Sequence, residues 1–280
     1  LGSCIFLTGV ASVFVMVVAS LIARPLLQLL KTPDTIIDWC NSYLIILFLG
    51  AGGMAYYNIL SGILRGLGDS VSALLYLIVA SLLNIVLDLL FVAQFNMGVN
   101  GVALATIIAQ IVSAILCLRK LGKMKDMLDL KREYIRWDRK FSMEIIRLGL
   151  PTGITQAIMS MSMLVVQTLT NSFGEMFIAA NVIVMRVDGF AMMPAFSFGT
   201  AMTTYAGQNV GARRMDRVQK GAKQGTLIAM GVSTTITLAI LLVGKYLMAI
   251  FTNTPELVEL SMNMMRILAV GYIAMAVTQC

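Results

Sequence analysis

Asp88 lies in an apolar run from Val71 to Val92, with Asn84 one helical turn before it in Leu82-Leu83-Asn84-Ile85-Val86-Leu87-Asp88-Leu89-Leu90. A carboxylate in a run of bilayer length costs about 2.5 kcal/mol or more to insert and marks a functional position by default. Beside amide and hydroxyl oxygens, such a carboxylate can hold a proton or Na⁺. Thr106 and Gln110 in the following run offer those oxygens. Counted from the turn at Asn96-Met97-Gly98, Asp88 and Thr106 fall at one depth, roughly 12–14 Å down at the helical rise. Asn84 and Gln110 then form a deeper layer. The pairs Asn84/Asp88 and Thr106/Gln110 each share a helix face at i,i+4. Interhelical hydrogen bonding accounts for Asn84 and Gln110 equally well. It explains Asp88 poorly, because an ionised side chain is a costly adhesive.

Thr152, Gln156, Ser160, Gln167 and Asn171 recur on one helical face. In a membrane such a face is expected to look into the protein or line a cavity, with helix packing as the alternative. Arg186 and Asp188, at i,i+2, point to different sides of their helix, so each needs another counterpart. Pro194 and Gly199 follow them and suggest a kink. Methionine is frequent, at 21 residues, and flexible thioethers suit a cavity that accepts many shapes, although any single Met is equally well filler. Other chemistries are disfavoured. There is no His, and the four cysteines have no ligand spacing, which argues against a resident metal, Ser-His-Asp catalysis and enzyme chemistry in general. The Gly-containing turns Arg65–Asp69 and Gly207–Arg214 lack the Walker spacing, so neither a nucleotide nor any other cofactor is expected.

The elements that must position these residues are membrane spans. Hydrophobic residues make up 59% and charged residues 12% of the chain, and mean hydropathy is +0.87. Eight runs are long enough to cross hydrocarbon: 2–24, 41–64, 71–95, 98–118, 148–172, 177–206, 224–250 and 260–280. The net charge of +7 is concentrated in the connections 119–147 and 213–223. This is the positive-inside pattern, which puts both loops in the cytoplasm and makes nucleic acid an unneeded partner.

The chain also echoes itself at an offset of 222 residues (Pro33 to Pro255): Lys31-Thr32-Pro33-Asp34 matches Asn253-Thr254-Pro255-Glu256, and Asn41 aligns with Asn263. Each copy reads span, Thr-Pro-acidic N-cap and first turn, span. With both turns outside, the repeat is parallel. Extending it past both ends predicts an all-α polytopic protein of twelve helices in two parallel six-helix lobes, about eight of them in this chain. The expected divisions are an N-lobe over 1–121, a basic linker over 122–142 and a C-lobe over 143–280. Tyr134, Ile135, Trp137 and Phe141 make the linker amphipathic, and a short helix on the cytoplasmic membrane surface is expected there.

Several of these motifs together resemble the MATE family of multidrug and toxic compound extrusion transporters. They are Gly207-Gln208-Asn209-x-Gly211-Ala212, Arg65-x-x-Gly68-Asp69, Asn84-x-x-x-Asp88, Gly98-x-x-Gly101-x-Ala103-Leu104-Ala105-Thr106, and Arg186-x-Asp188-x-Phe190-x-x-x-Pro194 with Asp where Glu is more usual. The resemblance covers essentially the whole chain, as helices three to about ten of twelve. It implies a plasma-membrane antiporter, acting as a monomer, that exports organic, often cationic, amphiphiles as protons or Na⁺ enter. In the DinF-like branch it implies a cation site of Asn84, Asp88 and Thr106, completed by an acidic residue on a helix upstream of residue 1. Gln110, Gln156, Ser160, Gln167, Arg186 and Asp188 are the expected cavity-lining set. The NorM-like branch carries a Glu where Met159 stands, which argues against that branch's C-lobe cation site. A lipid-linked oligosaccharide flippase of the same superfamily is the alternative function.

Overall fold

The computed structural model describes residues 2–30, 32–124 and 135–280. Among them are nine α-helices: α1 (Gly2–Leu29), α2 (Asp34–Leu49), α3 (Ala51–Gly66), α4 (Ser70–Leu89), α5 (Gly98–Lys123), α6 (Arg139–Asn171), α7 (Glu175–Gly211), α8 (Met215–Ala249) and α9 (Pro255–Gln279). Seven helices are long and apolar enough to cross a membrane. The bent pair α2–α3 makes an eighth candidate span. The protein is a polytopic all-α membrane protein. It divides into two compact units, Leu1–Leu150 and Pro151–Cys280.

The second expected span is broken rather than continuous. α2 and α3 meet at Gly50 with a bend of 42°. The bend lies against α5. A Cβ at Gly50 would collide with the Ile107 side chain, and one at Gly53 would sit 2.7 Å from Ile111 Cγ1. Glycine at both places lets the α2–α3 backbone lie directly on α5. Between lipid-embedded helices, association comes from close van der Waals packing more than from the hydrophobic effect, which is why small residues line such contacts. The buried stripe of α5 is accordingly Gly101, Ala103, Ala105, Ala109, Ser113 and Ala114, continuing to Cys117 and Leu121.

Helix ends follow local chemistry. α3 closes in a Schellman turn, with Gly68 at φ 93° and the Asp69 amide donating to Leu64 O at 2.9 Å. Asp69 then caps α4, accepting from the Ser72 amide at 3.0 Å and the Ser72 hydroxyl at 2.8 Å. α7 ends in the same kind of turn, but Arg213 occupies the left-handed position at φ 57°, with the Arg214 amide donating to Asn209 O at 2.8 Å. The Thr-Pro-acidic turns do not use threonine side chains as caps. α2 begins at Asp34 behind Pro33, and α9 begins at Pro255 behind Thr254, neither with a side-chain capping bond. Proline already removes one amide that would need a partner.

The expected surface helix of the linker is not found where it is described, and Tyr134 lies outside the described residues. Ile135–Asp138 are not helical. Asp138 instead caps α6, accepting from the Lys140 and Phe141 amides at 3.0 and 3.2 Å, so Phe141 belongs to α6 itself. Trp137 packs edge-on to Phe6 of α1, ring centroids 6.5 Å apart. α7 is helical through Pro194, and Ala191 and Ala195 on either side of it are both buried.

Candidate functional site

α4 and α5 form a hairpin through a π-helical turn at Leu90–Gln94 and a tight reversal with Asn96 at φ 52° and Gly98 at φ 54°. Two contacts fix its register. Near the turn, a Cβ on Gly101 would lie 2.9 Å from Phe91 Cβ. Farther down, Ser113 Oγ donates to Tyr76 O at 3.1 Å. Between these anchors Thr106 comes level with the helical turn that runs from Asn84 to Asp88, toward its Asn84 end, and Gln110 lies about one turn deeper. The simple depth count placed Thr106 level with Asp88. The difference arises because a π turn winds more residues per turn than an α-helix and so rises less per residue, shortening the α4 arm.

Asn84 and Asp88 are both half-buried on α4. Asp88 Oδ1, Asn84 Nδ2 and Gln110 Oε1 are shielded from solvent, with no hydrogen-bond partner among the described residues. Thr106 Oγ1 donates to Val102 O at 3.0 Å, which leaves its lone pairs available. A shielded carboxylate oxygen without a donor is unfavourable by several kcal/mol unless it takes up a proton or a cation. The hairpin therefore presents a carboxylate, two amides and a hydroxyl within two helical turns, a donor set suited to H⁺ or Na⁺. Several further side-chain atoms, among them Asn41 Oδ1 on α2, are also shielded and without a partner among the described residues. The match of Asn41 with Asn263 in the repeat was the available signal.

At the far end of the hairpin Asp69 accepts from Lys120 Nζ at 3.1 Å, tying the start of α4 to the end of α5. The Ser72 amide first, then the Ser72 hydroxyl and Lys120, hold the Asp69 carboxyl below its ordinary range.

The remaining candidates are placed differently. Gln156, Ser160 and Gln167 are exposed on α6 and bond along their own helix: Ser160 Oγ donates to Gln156 O at 3.0 Å, and Gln167 Nε2 donates to Asn171 Oδ1 at 3.0 Å. On α7, Arg186 is exposed and Asp188 half-buried. Asp188 neighbours Tyr272 on α9, whose hydroxyl donates to Met265 Sδ at 3.2 Å. Nothing in the sequence pairs these two residues. Among the described residues no group of three or more His, Cys, Asp or Glu could hold a metal.

Fold and site together define a polytopic helical membrane protein in which one carboxylate oxygen of the α4–α5 hairpin, Asp88 Oδ1, is shielded and has no hydrogen-bond partner among the described residues. The MatE family model matches residues 1–90 and 151–280, and the chain belongs to that family, whose members are transporters, not enzymes. Among relatives, it is similar to the probable multidrug resistance protein YpnP of Bacillus subtilis, at 31% identity over 247 residues, covering 88% of this chain and 55% of YpnP. It is also similar to the probable multidrug resistance protein YoeA of the same organism, at 27% identity over 279 residues, covering 97% of this chain and 60% of YoeA. Among solved structures, it superimposes with a TM-score of 0.89 on an outward-facing multidrug resistance MATE family transporter of the MOP superfamily, at 23% identity over 99% of this chain and 65% of that one. The chain thus spans a little over half the length of these two relatives.

Proposed function

We propose that the protein is a secondary active multidrug efflux transporter of the plasma membrane. In this reading, inward H⁺ or Na⁺ flux through Asp88, Asn84 and Thr106 drives export of organic, often cationic, amphiphiles. The observation that carries the reading is the Asp88 carboxylate, whose shielded Oδ1 lacks any donor among the described residues, as Asn84 Nδ2 beside it on the same face lacks an acceptor. Family membership and the multidrug resistance names of YpnP and YoeA support the substrate class. The basic connections 119–147 and 213–223 are taken as cytoplasmic from their charge. The parallel N- and C-lobe arrangement is taken from the 222-residue repeat (Pro33 to Pro255). Gln110, Gln156, Ser160, Gln167, Arg186 and Asp188 are assigned to the substrate path.

Coupling requires only that the cation bind Asp88 with different affinity in outward and inward states, since a ligand shifts an equilibrium by its differential affinity alone. The test is transport by the full-length protein in vesicles under an imposed proton or Na⁺ gradient. Asp88→Asn, which keeps shape and loses charge, should abolish gradient-driven export while leaving the protein folded and inserted. Full export by that variant refutes the assignment. Exchanging one gradient for the other identifies the coupling ion.

A further inference from the structure

The first unit carries an apolar groove that the Asp88 reading does not use. Its floor is α3, with α1 as one wall and α5 as the other. Two successive glycines set this spacing. A Cβ on Gly52 would lie 2.8 Å from Met16 Cε of α1, and one on Gly53 would lie 2.7 Å from Ile111 Cγ1 of α5. One cavity of about 460 Å³ is lined by Ile5, Tyr56, Leu60, Ile111, Ile115 and Leu118. A second, of about 440 Å³, shares Ile5 and Tyr56 with it and continues along Phe6, Val10, Val13 and Ile135. The shared Tyr56 is fixed by its hydroxyl, which donates to Ile5 O at 3.2 Å.

Apart from that bonded hydroxyl the side chains of the groove are apolar. Space of this kind between spanning helices takes hydrocarbon, because a void forfeits dispersion contacts and water finds no polar partners there. Hydrocarbon alone would not single out this groove, since lipid tails are as apolar as the side chains. Charge at one end does. α1 runs antiparallel to α3, Ile5 meeting Tyr56 and Gly52 facing Met16. α5 runs parallel to it, Gly50 facing Ile107 and Gly53 facing Ile111. The start of α1 and the ends of α3 and α5 therefore lie together. There Arg119 follows Ile115 by one helical turn on the groove face of α5. Arg136 stands between Ile135, which lines the groove, and Trp137, which packs on Phe6. Both arginines are exposed. Neither forms an ion pair among the described residues, whereas Arg24, Lys120 and Arg214 do.

We infer that this groove binds a phospholipid with an anionic headgroup, an acyl chain lying along α3 and the phosphate held by Arg119 and Arg136. Guanidinium groups suit that role, because their planar array of N–H donors matches phosphate oxygens. A zwitterionic headgroup offers the same phosphate but adds a cation that both arginines repel. Each basic side chain near a membrane surface favours an anionic lipid about fivefold. The chain slot and the charged rim act together: the slot fixes where the lipid lies, and the rim selects which lipid enters. Asp88, Asn84 and Thr106 take no part, so the site is independent of the coupling ion and of the exported compound.

Trp137, packed on Phe6 at the groove, is the reporter. The test uses the full-length protein with every other tryptophan replaced by Phe, reconstituted in phosphatidylcholine vesicles. Quenching of Trp137 is followed as brominated phosphatidylglycerol is added, and separately as brominated phosphatidylcholine is added. Phosphatidylglycerol should quench at a mole fraction at least fivefold lower. Arg119→Gln should move that midpoint about fivefold higher. Ile115→Phe with Leu118→Phe, which narrows the groove and keeps both arginines, should abolish the preference. Lys220→Gln, a basic residue of the other unit, should leave it unchanged. Equal quenching by the two lipids overturns the site, as when another part of the protein fills the groove. So does a preference that survives the narrowed groove, or one that Lys220→Gln reduces as much as Arg119→Gln. The headgroup comparison needs no groove variant, so it decides the matter even where the narrowed protein does not fold. Transport is not measured in any arm, so failure here is separate from failure of the Asp88 assignment.

Discussion

Gly53→Ala tests whether the α3–α5 contact holds the first unit in register. The added Cβ would lie 2.7 Å from Ile111 Cγ1, with the Ile111 backbone N and Cα behind it at 3.3 and 3.5 Å. The side chain can rotate but the backbone cannot retreat without moving α5. Overpacking of this kind costs about 1–3 kcal/mol, while replacing a helical glycine by alanine returns about 1 kcal/mol of helix propensity. The single variant should therefore be destabilised by roughly 0–2 kcal/mol. The decisive quantity is the coupling. Ile111→Ala removes Cγ1, so adding Gly53→Ala to it should stabilise by about 1 kcal/mol, giving a coupling energy of about 1–3 kcal/mol in a double-mutant cycle. The assay is thermal or denaturant unfolding of the four full-length proteins in one detergent. Additive effects within about 0.5 kcal/mol would show that Gly53 and Ile111 do not meet, and the close α3–α5 packing argued from Gly53 would be refuted.

Three further outcomes follow from the turns. Gly68→Ala should destabilise by about 1 kcal/mol, because φ 93° disfavours any Cβ. Arg213→Gly, at φ 57°, should be neutral or stabilising by up to about 1 kcal/mol; destabilisation in a melting experiment would refute strain at that turn. Asp69→Ala should cost about 1 kcal/mol through loss of the α4 cap, with Asp69→Asn costing less because it keeps an acceptor for the Ser72 amide. The Asp69 carboxyl is held below its ordinary value in the folded state. Its charge therefore stabilises the fold above the unfolded pKa of about 3.9, and this contribution is lost as pH falls through the lower folded pKa. The melting difference between wild type and Asp69→Asn should accordingly shrink below about pH 4; a difference that grows with acidification reverses the sign and refutes the argument.

What the sequence determined by itself was whatever depends on neighbours along the chain. The apolar runs have spanning length, and the structure gives seven such helices plus one bent pair. Asn84 and Asp88 share a face because helical spacing requires it, and Gly68 closes α3 because a left-handed position favours glycine. Tertiary structure alone decided the rest. Hydropathy does not distinguish a straight span from one broken at Gly50, where the backbone packs against Ile107 of another helix. The level of Thr106 depends on how a π turn shortens one arm of a hairpin. The proximity of Asp188 and Tyr272 involves residues on different helices, and the hydroxyls of Ser233 and Thr237, without a partner among the described residues, are set by side-chain direction and not by residue type. Local spacing fixes which residues share a helix face. Which faces meet, and at what level, is fixed by close packing between helices, and in these helices it depends on a few glycines and alanines that leave no periodic trace.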